Sequence, residues 1–279
     1  MITRFLLRLA LVAMAVAAGV ALDVGILDDD EPVSVDPAAS APAPVVDDLP
    51  TDLAVEALAA LNANGLKDSG VVMVTLPGAD PDTVDGIESA VTEARGTLTA
   101  TVAVGAQLTD PTQKMLATSL GDQLAEEVAD SSDLEGYAQI GHLLGRAAAT
   151  RRSAVGEVDE QTRVLRQGLA TASFVDGLGL RVDRAPAVVV VSGDDVDPDI
   201  LSGLLEGLTG AARTVLVSGV SNDAAVETAR AIEADNLSTF DGNQTPAGQQ
   251  ATVAVVIAQL DESGGDFGAS GSDGSAPVR

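Results

Sequence analysis

One pattern occurs twice in this chain and limits the folds open to it. Val71–Val104 reads VVMVTLPGADPDTVDGIESAVTEARGTLTATVAV, and Ala187–Val220 reads AVVVVSGDDVDPDILSGLLEGLTGAARTVLVSGV. Each begins with a continuous apolar strand, turns, restarts at an Asp-Pro pair as an amphipathic helix, and ends in a second apolar strand. Strands apolar on both faces suit a sheet covered on both sides, and strand–helix–strand units close with parallel pairing and right-handed crossovers. The expected fold is therefore α/β: a layered sheet built from two βαβ units with helices on both faces, preceded by one N-terminal membrane helix.

Local signals place the other elements. A short helix is expected near Asp52–Leu61, stopped by Gly65. Asp80 is a helix cap, and Pro81 occupies the first helical position, where no amide donor is needed. Val84, Ile87, Val91 and Ala94 then recur on one face. Three helices are expected between the two units. The first starts at Asp110-Pro111-Thr112-Gln113, a capping box, with Leu116, Leu120, Leu124 and Val128 inward. The second covers Leu134–Thr150, with Tyr137, Ile140, Leu144 and Ala147 inward, and the third covers Asp159–Asp176, with Leu165, Leu169 and Ala172 aligned. Asp197-Pro198 opens the helix of the second unit, strand Thr214–Ser218 follows, and a further helix lies near Asn222–Ala234. Thr245-Pro246 marks one more helix start. Thr252–Ile257 is β-branched enough for a strand, but the spacing of Val253, Val256, Ile257 and Leu260 favours a helix.

The flanks read differently. Arg4 and Arg8 precede an apolar run, Leu9–Leu22, which Val24–Leu27 continues past Asp23. A span needs roughly 20 residues, which Leu9–Leu27 reaches with one Asp near its end. Basic residues before it and Asp28–Glu31 after it put the N-terminus inside and the body outside. An uncleaved anchor over residues 1–27 is favoured over a cleaved signal peptide with Gly19-Val20-Ala21 as its small-residue site. Either way the body is exported. Residues 28–50 form an acidic Pro/Ala-rich linker, residues 51–262 an extracytoplasmic α/β domain, and residues 263–279, rich in Gly, Ser and Asp, a disordered tail.

Composition removes several classes of function. The chain carries 42 acidic and 15 basic residues, a formal net charge of −27, so nucleic acid is not an expected partner. It has no cysteine, which excludes disulfides and thiolate metal sites. Aromatic residues make up 2% and Trp is absent, so no stacking platform is expected. Ligands of open α/β sheets sit beyond the carboxyl ends of strands. Two loops lie there: one with Pro77, Gly78 and Asp80, the other with Gly193, Asp194, Asp195, Asp197 and Asp199. The four carboxylates of the second are candidate oxygen ligands for a hard cation, although the loop lacks EF-hand spacing and Asp197 is already a cap. Neither loop has a phosphate-binding glycine motif. His142, the sole histidine, is a further candidate metal ligand and reads mainly as a helix residue; a His-based site within one chain needs more. Met73 and Met115 read as core residues, not a thioether cluster. With no Cys nucleophile and no Ser–His–acid set, the chain is not expected to be an enzyme.

The segments Leu66–Asp80 (LKDSGVVMVTLPGAD), Gln161–Val175 (QTRVLRQGLATASFV), Thr214–Gly219 (TVLVSG) and Leu237–Gly268 (LSTFDG through SGGDFG) resemble the mycobacterial copper-transport protein B (MctB) family. Leu9–Leu22, with Gly19 and Val20, is similar to its membrane segment. The resemblance implies an actinobacterial-type cell-envelope or outer-membrane protein of copper transport and homeostasis, with copper as the associated ion and a pore-like role linked to the family. The expected partners are the membrane, through the N-terminal helix, and as a further candidate a second copy of the chain (homo-oligomer) or an envelope protein. Members usually carry a heptad-rich coiled coil between membrane segment and body, where this chain has its acidic linker. The reading is a non-enzymatic accessory or assembly component of copper efflux. The alternative is a structural or protein-interaction module of the envelope with no direct copper role.

Overall fold

A computed structural model describes residues 51–126, 134–152, 154–180, 182–193, 196–219 and 223–277. The expected anchor and linker, residues 1–50, lie outside the described residues. Helix α1 covers Thr51–Asn62, strand β1 Gly70–Thr75, α2 Pro81–Glu93 and β2 Thr97–Val104. The intervening segment holds α3 (Ala106–Thr109), a 3₁₀ turn (Pro111–Gln113), α4 (Lys114–Ala125), α5 (Gly136–Ala148), α6 (Glu160–Thr171) and β3 (Val175–Asp176). Then come β4 (Ala187–Val191), α7 (Pro198–Ala211), β5 (Arg213–Ser218), α8 (Asp223–Arg230), β6 (Leu237–Asp241), α9 (Pro246–Leu260) and β7 (Asp266–Gly268). Both βαβ units thus form where the repeated pattern places them.

The strands make one sheet in the order β3-β2-β1-β4-β5-β6-β7. All neighbours are parallel except β2 and β3. The two units meet where β1 pairs with β4, Val71 opposite Ala187 and Thr75 opposite Val191. Strand order reverses at this pair, so it is the topological switch point of the sheet.

Alternation along the strands splits the core in two. Val72, Val74, Val102, Val188, Val190 and Leu216 face the layer of α5 to α8, meeting Ile140, Leu144, Leu165, Leu205 and Ala229. Val71, Met73, Val189, Val191, Val215 and Val217 face α2 and α9, meeting Ile87, Val91, Val253, Val256 and Ile257. Each fully buried aliphatic side chain contributes about 1.5–3 kcal/mol. With almost no aromatic residues, the fold rests on many such contacts.

Two helices are enclosed on nearly every side. In α9 the run Gln250–Gln259 is buried throughout, between the sheet and α1, where Asn62 Nδ2 donates to Gln250 O at 2.7 Å. An all-round apolar helix has no periodic face, which is why its sequence resembles a strand; the Thr245 cap, accepting from Gly248 N at 3.0 Å, identifies it as a helix. On the other face α5 is buried from Tyr137 to Ala148 except at half-buried Ala138 and Arg146, and it lies against α7 at glycines. A Cβ on Gly141 would stand 2.1 Å from Leu204 O, and one on Gly207 1.9 Å from Ala138 O. Gly141 with Gly145 and Gly203 with Gly207 give both helices the small-x-x-x-small spacing that permits backbone contact.

Three expectations are corrected. Met115 is 87% exposed and Leu116 54% exposed; α4 turns Ala117 and Gly121 inward instead, with Leu120 and Leu124 half-buried. The small residues face in because Gly121 lies against Ile140 of α5, leaving no room for a leucine. Val128 lies outside the described residues. The tail read as disordered from residue 263 contains β7, parallel to β6, with Phe267 buried. Its Gly, Ser and Asp show no apolar period because polar contacts hold it: Arg230 Nη2 donates to Phe267 O at 3.0 Å, Ser270 N to Asp241 Oδ2 at 3.0 Å, and Thr239 Oγ1 to Asp266 Oδ1 at 2.8 Å.

Candidate functional site

The two loops expected to carry a ligand follow β1 and β4 and come together at the switch point. A Cβ on Gly193 would lie 1.9 Å from Pro77 O and 2.6 Å from Ala79 N, so glycine is what allows the loops to touch. Their described carboxylates act on helix starts. Asp80 accepts from Thr83 N at 3.2 Å and Thr83 Oγ1 at 2.8 Å, and the Thr83 hydroxyl holds its carboxyl below the ordinary range. Asp197 accepts from Asp199 N at 2.9 Å and Ile200 N at 3.4 Å. Asp199 is exposed in the first turn of α7. Asp194 and Asp195 lie outside the described residues. Tyr137, beside Gly203 of α7, is buried, which pushes its phenol above the usual value; negative charge on Asp197 and Asp110 adds to this.

His142 does not join this cluster. It sits on α5 with Nδ1 3.5 Å from where a Cβ of Gly210 would be. Gly210 is thirteen residues beyond Asp197, about 20 Å along a helix. Among the described residues no group of three or more His, Asp or Glu side chains is placed to hold a metal ion.

The opposite, amino-terminal end of the sheet carries features that no motif in the sequence announces. A groove of about 420 Å³ is lined by His142, Arg146, Ala149, Thr150, Arg151, Arg152, Arg184 and Ala211. It forms because the chain doubles back after α5: Thr150 N donates to Ala185 O at 2.8 Å, and Gly156 and Arg184 exchange two backbone bonds of 2.8 Å just before β4. Arg213, at the start of β5, donates from Nη1 to Arg151 O at 3.3 Å. Arg166 of α6 is fully buried, with Nε donating to Ala147 O at 2.8 Å and Nη1 to Gly179 O at 2.7 Å and Val182 O at 2.5 Å. Burial lowers its pKa to about 10, with Arg184 adding repulsion, so it remains a cation at neutral pH. Sequence reading missed this cluster because its arginines are spread over Arg146–Arg184; the adjacent pair Arg151-Arg152 in so acidic a chain was the one available signal.

A second groove, about 840 Å³, runs along β6 and β7 and includes Glu233, Asp235, Glu262, Asp266 and Asp273. Its arginine, Arg230, is engaged by Thr239, Ser270 and Phe267 and lies 3.9 Å from buried Asp241.

Compared with known families, residues 2–278 match the family described as copper transport outer membrane protein, MctB. The chain belongs to the MctB family. The match takes in both βαβ units, both grooves and the N-terminal segment, so the segments whose resemblance was noted above are parts of one continuous likeness. The family is one of transport proteins of the cell envelope, and its description concerns copper and the outer membrane. No curated protein matches the chain. Among the described residues no helix is long and apolar enough to cross a membrane.

Proposed function

We propose that this chain acts in copper transport and homeostasis as a membrane-anchored envelope protein, and that it works as a non-enzymatic accessory or assembly component of copper efflux. Membership of the MctB family over residues 2–278 carries this reading. The accessory role is supported by the body itself. Its sheet is open, with different strands at its two edges, and both faces are covered by helices over fully buried valines such as Val72, Val189 and Val215. A conducting path through such a body would have to break that packing.

The test is cellular copper content in a deletion strain against its parent, with complementation by the intact chain and by His142→Ala. The expected result is raised copper after deletion, restored by both versions, because His142 is a packing residue of α5. Unchanged copper under copper challenge would overturn the copper role. Ion conduction by the purified, monodisperse protein in planar bilayers would overturn the accessory role.

A further inference from the structure

We infer that the groove lined by Arg146, Arg151, Arg152 and Arg184 binds a multivalent oxyanion of the phosphate class. The inference is independent of the copper reading. The chain has 42 acidic residues against 15 basic ones, yet among the described residues this groove draws four arginines and no carboxylate to its wall. Surface charge scattered at random in so acidic a protein would intersperse acids among them.

Arg151, Arg152 and Arg184 are not consumed by folding. Among the described residues Arg151 and Arg152 make no ion pair, and both are exposed. Arg184 has one remote carboxylate, Asp159 Oδ2 at 3.7 Å, and its Nε is buried with no acceptor among the described residues. Asp159 itself is occupied as the cap of α6, accepting from Thr162 N at 2.7 Å. Arg146 lies in the last turn of α5, where the carbonyl end of the helix favours a cation. That accounts for Arg146 and leaves Arg151 and Arg152, beyond the helix, without such a role.

The chemistry of the donors selects the ligand. All four cations are arginine, whose planar fork matches phosphate and carboxylate oxygens two at a time. A body of net charge −27 repels anions at long range, so a ligand gains only by presenting several charges to several guanidiniums at once. A groove of about 420 Å³ suits a compact anion or one headgroup. Arg166 supports the geometry by holding Ala147 O, Gly179 O and Val182 O, which ties together the two segments that carry Arg146 and Arg184.

The test is isothermal titration calorimetry on the full chain in a neutral detergent, at constant ionic strength, with two probes. Inorganic pyrophosphate represents a free phosphate; dihexanoyl phosphatidylinositol 4-phosphate, below its micelle concentration, represents a lipid headgroup that carries more than one charge. The comparison protein is Arg151→Gln/Arg152→Gln, whose changes are on exposed side chains and whose folding is checked by circular dichroism and by its melting temperature. The expected result is saturable binding of one probe or both, weakened about tenfold or more in the double variant. Binding of pyrophosphate alone identifies a free phosphate ligand, and binding of the lipid alone identifies a headgroup. No binding of either, or equal affinity in the folded double variant, would overturn the inference.

Discussion

At the carboxyl end of β1 and β4, Asp80 and Asp197 direct their carboxylates to the first turns of α2 and α7, and Gly193 brings the two loops into contact. At the amino end of the same sheet, Arg151 and Arg152 line a groove without an ion pair among the described residues. The first end is where open α/β sheets usually take ligands, yet its described charges are engaged in starting helices. The second end holds charge that local structure does not use. A site is better sought where polar groups exceed what folding requires than where fold analogy alone points.

The largest expected effect is at the amino end. Arg166→Met should lower stability by about 3 kcal/mol, because three buried carbonyls lose a charged donor. Urea unfolding followed by circular dichroism measures it; a loss near zero would mean the groove does not depend on this clamp. Next is Gly193→Val, expected to cost about 2 kcal/mol by overpacking the loops at Pro77 O. The same melt checks it, and a neutral result would show that the carboxyl-end loops separate easily, leaving room for a ligand.

A smaller effect concerns Asp159, which sits between a helix cap and Arg184. The backbone N–H of Thr162 is the main cause holding its carboxyl below the ordinary value, with Arg184 assisting. A carboxyl depressed in the folded state stabilises it above the unfolded pKa, about 3.9, and that contribution disappears as pH falls through the folded value. Asp159→Asn keeps the capping oxygen and removes the charge. It should therefore melt below the parent at pH 7 by a fraction of about 1 kcal/mol, and the gap should close as pH falls below the ordinary carboxylate range. A gap independent of pH would assign the effect to the cap alone. The smallest effect is Met115→Gln on the exposed face of α4, expected within about 0.5 kcal/mol of the parent. A larger loss would mean that this face is covered in the intact protein.

Much of the fold is written in short-range signals. Asp80-Pro81, Asp197-Pro198 and Thr245-Pro246 each start a helix, and the valine-rich runs are the central strands. The elements missed are those held by long-range polar contacts. Strand β6 reads LSTFD, yet Ser238, Thr239 and Asp241 are buried because Gln259, Arg230 and Ser270 meet them from elsewhere in the chain. Strand β7 follows for the same reason. Of the stripe assigned to α4, Leu120 and Leu124 pack half-buried against the core while Leu116 is exposed, because a periodic leucine face does not say which side meets α5; Gly121 and Ala117 decide that. The switch-point loops were legible from strand order, while the arginine groove depends on the turn after α5 folding back onto Arg184, which no local pattern encodes.

The contrast between the two ends is tested most directly by titrating pyrophosphate into three full-length proteins side by side: the parent, Arg151→Gln/Arg152→Gln, and Asp197→Asn. The last removes one negative charge at the carboxyl end and keeps its capping oxygen. The account predicts that Asp197→Asn binds within about twofold of the parent, since screening hides a distant charge, while the double arginine variant binds about tenfold or more weakly. Shifts of similar size in both variants would contradict it, because binding would then follow the overall charge of the body and not the groove.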